Sequence, residues 1–191
     1  MTYKISILGR PSVGKTTTMH FLVNQFKNSH VQFIPEIARE YIIKNGGIKN
    51  IQDQLIVAKT QSHVEKTALE KEPDILLTEA PVFNALPYAK TYFCHNENDY
   101  STYCEIVRIS AQHSYDLILW CNSTGSYIED GVRYQKESEL SYLEREIKEN
   151  LYMFHKGNII SLPRSIKERE KLLKIIVKQI EKGEYNVKKE N

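Results

Sequence analysis

Residues 9–16 have the residue types and the spacing of a phosphate-binding loop. They read Gly-Arg-Pro-Ser-Val-Gly-Lys-Thr, a full match to the pattern G-x-x-x-x-G-K-[ST]. Gly9 and Gly14 allow a tight backbone turn, so that N–H groups can point at a β-phosphate. Lys15 is expected to reach the β- and γ-phosphates, and the Thr16 hydroxyl to ligate Mg²⁺. The loop therefore predicts binding of a nucleoside triphosphate together with Mg²⁺.

The segments on either side of this loop support the same interpretation. A β-rich run at 4–8 leads into the loop, and apolar residues at helical spacing follow Lys15. That helix would add its positive N-terminal end to the phosphate site. Thr17 is expected to touch the α-phosphate, while Arg10 either adds charge or points outward. The residues predicted to contact the nucleotide here are Gly9, Arg10, Pro11, Ser12, Val13, Gly14, Lys15, Thr16 and Thr17.

Alternating strand and helix patterns predict an α/β fold. Because the strands are short and apolar and helices separate them, we expect a parallel sheet covered by helices on both faces. One domain is expected over 1–182, with a lid loop near 122–136 and a charged tail at 183–191. Strands are predicted at 4–8, 31–34, 74–78, 116–121 and 158–162, and helices at 15–28, 36–44, 51–70, 81–93, 99–113, 137–155 and 166–182.

Composition and charge argue against several other classes. The 191 residues carry a formal net charge of +2, too small to indicate a nucleic-acid partner. No apolar run of membrane-spanning length is present, and no signal-peptide pattern opens the chain. Cys94, Cys104 and Cys121 lack metal-ligand spacing and are expected to be reduced thiols. We therefore expect a cytoplasmic protein that binds neither membrane nor nucleic acid.

The segment after the fourth strand narrows the class of P-loop protein. A guanine-binding N-K-x-D motif would follow that strand, but residues 121–126 read Cys-Asn-Ser-Thr-Gly-Ser. An oligomeric motor would need a separate lid domain, for which the chain is too short. The sequence favours a small-molecule kinase that uses ATP, although a missing N-K-x-D motif removes only one kind of guanine site.

Further motifs resemble those of a known group of P-loop kinases. They are Pro-Glu-Ile-Ala-Arg-Glu-Tyr at 35–41, an acidic residue after the third strand, Tyr-Asp-Leu-Ile-Leu-Trp at 115–120 and Glu-Asp-Gly-Val-Arg at 129–133. The chain resembles, over about 4–178, the ribosylnicotinamide kinase domain of NadR-type proteins and related small AAA-labelled ATPases. The resemblance implies a sheet of order 2-3-1-4-5 and ATP-dependent phosphoryl transfer to a nucleoside-like hydroxyl, with nicotinamide riboside as the best single candidate.

Two residues after the second strand are candidate acceptor-binding groups. Glu36 lies where ligands of open α/β folds bind, and the resemblance gives it the role of general base. Alternatively, Glu36 only caps the helix that follows Pro35. Arg39, one turn later on the same side of that helix, either holds an acceptor phosphate or ribose or pairs with Glu36.

Glu79 follows the third strand and is the candidate for orienting Mg²⁺ or its water shell. The family usually has Asp at this position, whereas this chain has Thr-Glu-Ala-Pro at 78–81. Two alternatives stay open. Glu79 contacts the acceptor hydroxyl or acts as the base, leaving Glu36 to position the substrate; or Glu79 has a structural role at the strand end.

Two arginines are candidates for contacts with the γ-phosphate and with the adenine of ATP. Arg133 follows Asp130-Gly131 in the expected lid loop and would stabilise the charge of the transition state. Its alternative is an exposed arginine in a solvated loop. Arg164, after the last strand, is expected to stack on adenine.

Two other functions compete with a nicotinamide riboside kinase. A nucleotide or deoxynucleoside kinase would accept a purine or pyrimidine compound instead. A regulatory ATP-binding module would hydrolyse ATP slowly and act on a protein partner. The sequence indicates neither an oligomeric state nor a metal site made of histidines, because the six histidines are scattered.

Overall fold

Five short strands form one parallel sheet in the part of the chain that the structure describes. A computed structural model describes residues 1–122 and 137–184. The strand order is β2-β3-β1-β4-β5 and every neighbouring pair is parallel, which confirms the predicted order. The strands are β1 (Tyr3–Leu8), β2 (Val31–Ile34), β3 (Ile75–Thr78), β4 (Leu117–Cys121) and β5 (Asn158–Leu162).

Helices cover both faces of this sheet, as predicted. The first and last helices pack on one face, where Met19 and Leu22 meet Leu173 and Ile176. The other helices bury residues such as Leu86 on the opposite face. The helices are α1 (Lys15–Val23), α2 (Ile37–Asn45), α3 (Ile51–Leu69), α4 (Ala85–Tyr92), α5 (Glu97–Ser110), α6 (Leu140–Phe154) and α7 (Ile166–Glu181).

Several helix boundaries differ from the prediction. Helix α1 ends at Val23 rather than near residue 28. The helix predicted over 81–93 is divided, because Pro81 is extended and a 3₁₀ turn at Val82–Asn84 precedes α4. Helix α5 begins two residues early, where the Asn96 side chain accepts a hydrogen bond from the Asp99 N–H and caps the helix.

The carboxyl ends of four strands meet at one edge of the sheet. Ile34 pairs with Thr78 at the ends of β2 and β3, while Leu8 pairs with Trp120 near the ends of β1 and β4. The segments that leave these strands therefore converge at that edge, where ligands of open α/β sheets bind. Within the described ranges, no helix is long and apolar enough to cross a membrane.

Candidate active site

The loop between β1 and α1 has the backbone of a phosphate-binding turn. Gly9 and Gly14 have φ angles of 155° and 77°, and Ser12 has a positive φ of 61°. A Cβ atom on Gly9 would lie 2.7 Å from the Cys121 carbonyl oxygen, so β4 leaves no room for a side chain there. Glycine is therefore required at position 9 both for backbone conformation and for the close approach of a neighbouring strand.

Lys15 lies within this loop instead of extending into solvent. Only 5% of the residue is exposed. Its Nζ donates to the backbone carbonyl oxygens of Gly9, at 3.0 Å, and Arg10, at 3.1 Å. The ammonium group is thus held against the first turn of the loop, in a position suited to meeting an anionic ligand that the loop binds.

Thr16 and Glu79, the two predicted metal ligands, lie together. The Thr16 hydroxyl donates a hydrogen bond to the Glu79 carboxylate. Only 3% of Glu79 is exposed, and its backbone N–H donates to the Ile34 carbonyl oxygen at 3.0 Å. A hydroxyl and a carboxylate oxygen side by side form a donor set that suits Mg²⁺, which takes few protein ligands and completes its shell with water and phosphate oxygens.

A different kind of metal centre finds no support in the described residues. Over 1–122 and 137–184, no group of three or more His, Cys, Asp or Glu side chains could hold a metal ion. A cation at this edge of the sheet would therefore depend on the Thr16 and Glu79 oxygens and on its other ligands.

The other predicted nucleotide-binding residues have varied surroundings. Pro11 and Val13 are buried, Ser12 is half-buried, and Thr17 is exposed at the start of α1. The Arg10 guanidinium lies 3.5 Å from the Glu144 carboxylate on α6, and 15% of the Arg10 side chain is exposed. Arg164 is exposed just after β5. Arg133 falls outside the described residues.

Glu36 and Arg39 are both half-buried near the end of β2. Glu36 occupies the N-cap position of α2, yet its side chain makes no capping hydrogen bond to that helix. Glu36 therefore does not cap α2 through a side-chain hydrogen bond, although it stands at the N-terminal end of that helix. Glu36 lines a pocket that is also lined by Ala80, the residue after Glu79.

That pocket lies between α2, α3 and the start of α4. It encloses about 590 Å³ of empty space, including the open volume at its mouth. The part of this space that a water-sized sphere can occupy is about 50 Å³. Tyr88 lines the pocket, whereas Tyr92 and Tyr103 pack against the core and Tyr100 is exposed. Its lining residues are Glu36, Ile37, Ala38, Ile42, Ile48, Gln54, Val57, Ala58, Gln61, Ala80, Pro81, Val82, Asn84, Ala85 and Tyr88.

Arg169 on α7 is a site residue that the sequence analysis missed. Its side chain is almost completely buried, with 1% of the residue exposed. The guanidinium donates to the Val13 carbonyl oxygen and the Thr18 hydroxyl, both at 2.9 Å. It also donates to the carbonyl oxygens of Pro163, at 3.1 Å, and Asn122, at 3.3 Å. Arg169 thus joins the phosphate-binding loop to the segments that follow β4 and β5.

The sequence does contain a signal for Arg169. Leu173, Ile176 and Val177 form the buried stripe of α7, and Arg169 lies one turn earlier on the same stripe. A charged residue on the apolar face of a helix is rarely buried without partners. Such a position therefore indicates a buried arginine with several hydrogen-bond acceptors.

The sheet order and the glycine-rich loop define an α/β protein of the P-loop NTPase class. Residues 4–169 match a family model described as an AAA domain. The chain therefore belongs to this family. No curated protein matches the chain in sequence.

Solved structures similar to the chain have the same fold. A NadR protein in complex with NAD and AMP-PNP superposes with a TM-score of 0.71 at 16% identity, covering 95% of this chain and 50% of that one. A NadR protein in complex with NR gives 0.76 at 19%, covering 100% and 54%. Deoxyadenosine kinase from M.mycoides, with products dcmp and a flexible dcdp bound, gives 0.67 at 16%, covering 94% and 99%.

The NadR chains and the deoxyadenosine kinase differ in how much of their own length this chain covers. The chain spans about half the length of the NadR chains and nearly all of the deoxyadenosine kinase. The predicted resemblance to NadR-type proteins is confirmed at the level of the fold.

Proposed function

We propose that the protein transfers the γ-phosphoryl group of ATP to a hydroxyl group of a small nucleoside-like acceptor, with nicotinamide riboside as the first candidate. One observation carries the proposal: Glu79, which accepts a hydrogen bond from Thr16 of the phosphate-binding loop, is followed directly by Ala80, which lines a separate pocket together with Glu36. A kinase needs a second site of this kind beside the γ-phosphate, whereas an ATPase that uses water does not.

The roles of the two carboxylates follow from their surroundings. Glu79 is buried and accepts a hydrogen bond from Thr16, which suits it to hold a cation with that hydroxyl. Glu36 lines the acceptor pocket, which suits it to accept the proton of a bound hydroxyl. We therefore assign Glu36 as the base and Glu79, with Thr16, to Mg²⁺, which would neutralise charge on the β- and γ-phosphates.

The reaction balances with these groups. The acceptor oxygen forms a bond to the γ-phosphorus, and its proton passes to the Glu36 carboxylate. The bond from that phosphorus to the β,γ-bridging oxygen breaks, and ADP leaves with the electron pair. Lys15 stabilises the negative charge that develops on the transferring group. Arg133 in the predicted lid loop would act with it, and Arg39 and Arg164 remain candidates for contacts with acceptor and adenine.

The similar structures support this proposal and suggest a second one. One NadR structure holds AMP-PNP and another holds NR, so the fold accommodates both kinds of ligand in those proteins. The chain covers 99% of the deoxyadenosine kinase, a protein of nearly the same extent. The similarity of fold over 94% of this chain makes a deoxynucleoside kinase the second candidate.

An acceptor panel tests the proposed function. We expect one acceptor to stimulate ADP release from Mg²⁺–ATP at least about tenfold, within the range of kinase turnover over background hydrolysis. The panel holds nicotinamide riboside, the common nucleosides and deoxynucleosides, and their monophosphates, with Lys15→Ala as the blank. Tight ATP binding without stimulation by any acceptor would count against a kinase and favour a regulatory ATPase that acts on a protein partner.

The Glu36→Gln variant is expected to lose about 10²- to 10⁴-fold in kcat with the stimulating acceptor, because general-base catalysis contributes that much. Its ATP affinity should stay the same. Glu40→Gln is the matched control, since Glu40 is exposed on the same helix. Glu79→Gln should instead raise the Mg²⁺ concentration needed for half-maximal rate. Single-turnover rates over a Mg²⁺ series separate the two effects, and an unchanged rate in Glu36→Gln would remove the base assignment.

A further inference from the structure

The acceptor pocket contains three buried neutral amides. Gln54 and Gln61 come from α3, and Asn84 comes from the turn before α4; all three line the pocket. Among the described residues that line it, Glu36 alone carries a formal charge. The remaining lining is mostly apolar. A ligand without a negative charge and with a few hydrogen-bonding groups fits such a lining better than an anion does, because the described lining residues hold a carboxylate and no cation to pair with the anion.

A buried carboxylate fixes the orientation of one of these amides. Glu65 is fully buried, with 0% exposed, one helical turn beyond Gln61 on α3. The Gln61 amide Nε2 donates to Glu65 Oε1 at 2.9 Å. A carboxylate can only accept hydrogen bonds, so Gln61 must turn its NH₂ group towards Glu65. The side-chain carbonyl oxygen of Gln61 is then the group left to accept a hydrogen bond from a ligand.

Other buried groups hold Glu65 in place. The Tyr115 hydroxyl accepts from the Val82 N–H at 2.8 Å and donates to Glu65 Oε1 at 2.8 Å. Burial raises the pKa of the Tyr115 phenol well above its ordinary value, so the phenol keeps the proton that it donates. His113 Nδ1 lies 3.1 Å from Glu65 Oε2. Both carboxylate oxygens therefore have buried partners: Tyr115 shares Oε1 with Gln61, and His113 lies at Oε2.

A second acceptor lies in the same pocket. The Asn84 Oδ1 atom is buried and has no hydrogen-bond partner among the described residues. A buried polar atom without a partner destabilises the protein until a donor reaches it. The pocket thus carries two side-chain carbonyl oxygens, from Gln61 and Asn84, that a donor on a ligand could satisfy.

We infer that this pocket selects acceptors that carry no negative charge and whose ring bears an exocyclic N–H donor, as an amino or carboxamide group, and that Gln61, oriented by Glu65, is the residue that selects them. The inference rests on the proposed function, because it takes this pocket as the acceptor site. Gln61 would touch the ligand, while Glu65 acts through Gln61 as a positioning residue. Ligands with a keto group or a carboxylate in the same place would meet a carbonyl oxygen and be rejected.

Matched acceptor pairs test the inference directly. The pairs are adenosine with inosine, cytidine with uridine, and nicotinamide riboside with its carboxylate analogue nicotinic acid riboside. For the pair that contains the stimulating acceptor, we expect the donor-bearing member to have a kcat/KM about 10- to 100-fold higher, as expected when a mismatched ligand leaves buried groups unpaired. A ratio within about threefold in the wild-type protein overturns the inference even if phosphoryl transfer is efficient.

Four variants identify the residues responsible. Gln61→Met should bring the ratio to within about threefold, whereas Gln52→Met, an exposed glutamine on the same helix, should leave it unchanged. Glu65→Met should also reduce it, because nothing then orients Gln61. Glu65→Gln keeps an oxygen that accepts from Gln61 and should retain the wild-type ratio. Preserved selectivity in a folded Gln61→Met protein contradicts the assignment, whatever the stability of the Glu65 variants.

Binding without ATP separates this inference from the proposed function. Calorimetric titration of the wild-type protein with each pair reports pocket selectivity in the absence of turnover. Selective binding without any acceptor-stimulated ADP release would keep the pocket assignment and reject the kinase. Phosphoryl transfer without selectivity would keep the kinase and reject the pocket assignment. A protein that shows neither selective binding nor transfer would reject both proposals.

Discussion

Phosphoryl transfer by the Lys15→Met variant is expected to fall by at least about 10²- to 10³-fold, the loss seen when one charge-stabilising donor is removed from a transition state. Lys15 is the described cation held within the phosphate-binding loop, with its Nζ on the carbonyl oxygens of Gly9 and Arg10. Methionine keeps a chain of similar length but supplies no charge. Single-turnover ADP formation with the best acceptor, or ATP hydrolysis if no acceptor is found, measures the loss.

Structural damage must be separated from lost chemistry in this variant. Lys27→Met serves as the control, because Lys27 is exposed shortly after α1 and should have no effect on rate. Thermal unfolding should show Lys15→Met still folded, since the loop keeps its contacts with Arg169. A folded Lys15→Met protein with a wild-type rate would exclude this loop as the site of phosphoryl transfer, and with it the proposed function.

Local patterns carried enough information to predict the sheet. Each strand is a short apolar run bounded by polar or glycine residues, and parallel pairing follows once helices separate the strands. The order β2-β3-β1-β4-β5 came from the resemblance and is confirmed. The phosphate-binding loop could also be predicted from the sequence, because its eight residues are contiguous and the motif residues each have a chemical role in binding phosphate.

Buried polar groups were harder to predict because their partners lie far along the chain. Arg169 contacts Val13 across 156 positions, and Tyr115 contacts Glu65 across 50. Periodicity alone shows that Gln54, Gln61 and Glu65 share the buried face of α3 with Ala58 and Ala68. It does not show which neighbouring segments satisfy them, since that depends on how α3 packs against α5 and against the segment with His113 and Tyr115 that follows it.

The ends of some helices were predicted wrongly for a related reason. The apolar spacing that suggested a helix to residue 28 continues through Phe26, which is buried in the same core as Leu22 although α1 has already ended. Burial of a side chain therefore does not require that its backbone be helical. In the region after β3, Pro81 is extended and the chain needs a 3₁₀ turn before α4 can begin.

The Arg169→Met variant is expected to lose about 2–5 kcal/mol of unfolding free energy, because several buried acceptors lose their donor at once. The largest local consequence should appear at the phosphate-binding loop, whose Val13 carbonyl oxygen and nearby Thr18 hydroxyl both bond to this guanidinium. ATP affinity should therefore fall as well, although Arg169 lies behind the loop and is not predicted to touch the nucleotide. Denaturant unfolding and ATP titration measure the two effects.

Matched variants show whether the arrangement of donors, and not charge alone, is responsible. Arg164→Met removes an exposed arginine five residues earlier and should change the unfolding free energy by less than about 0.5 kcal/mol. Arg169→Lys keeps the charge but has one nitrogen where the guanidinium has three, and it cannot reach acceptors on the loop, Pro163 and Asn122 together. It should recover only part of the loss. Full recovery by lysine would mean that charge near the loop is sufficient, and an unchanged Arg169→Met protein would mean that the loop keeps its conformation without this contact.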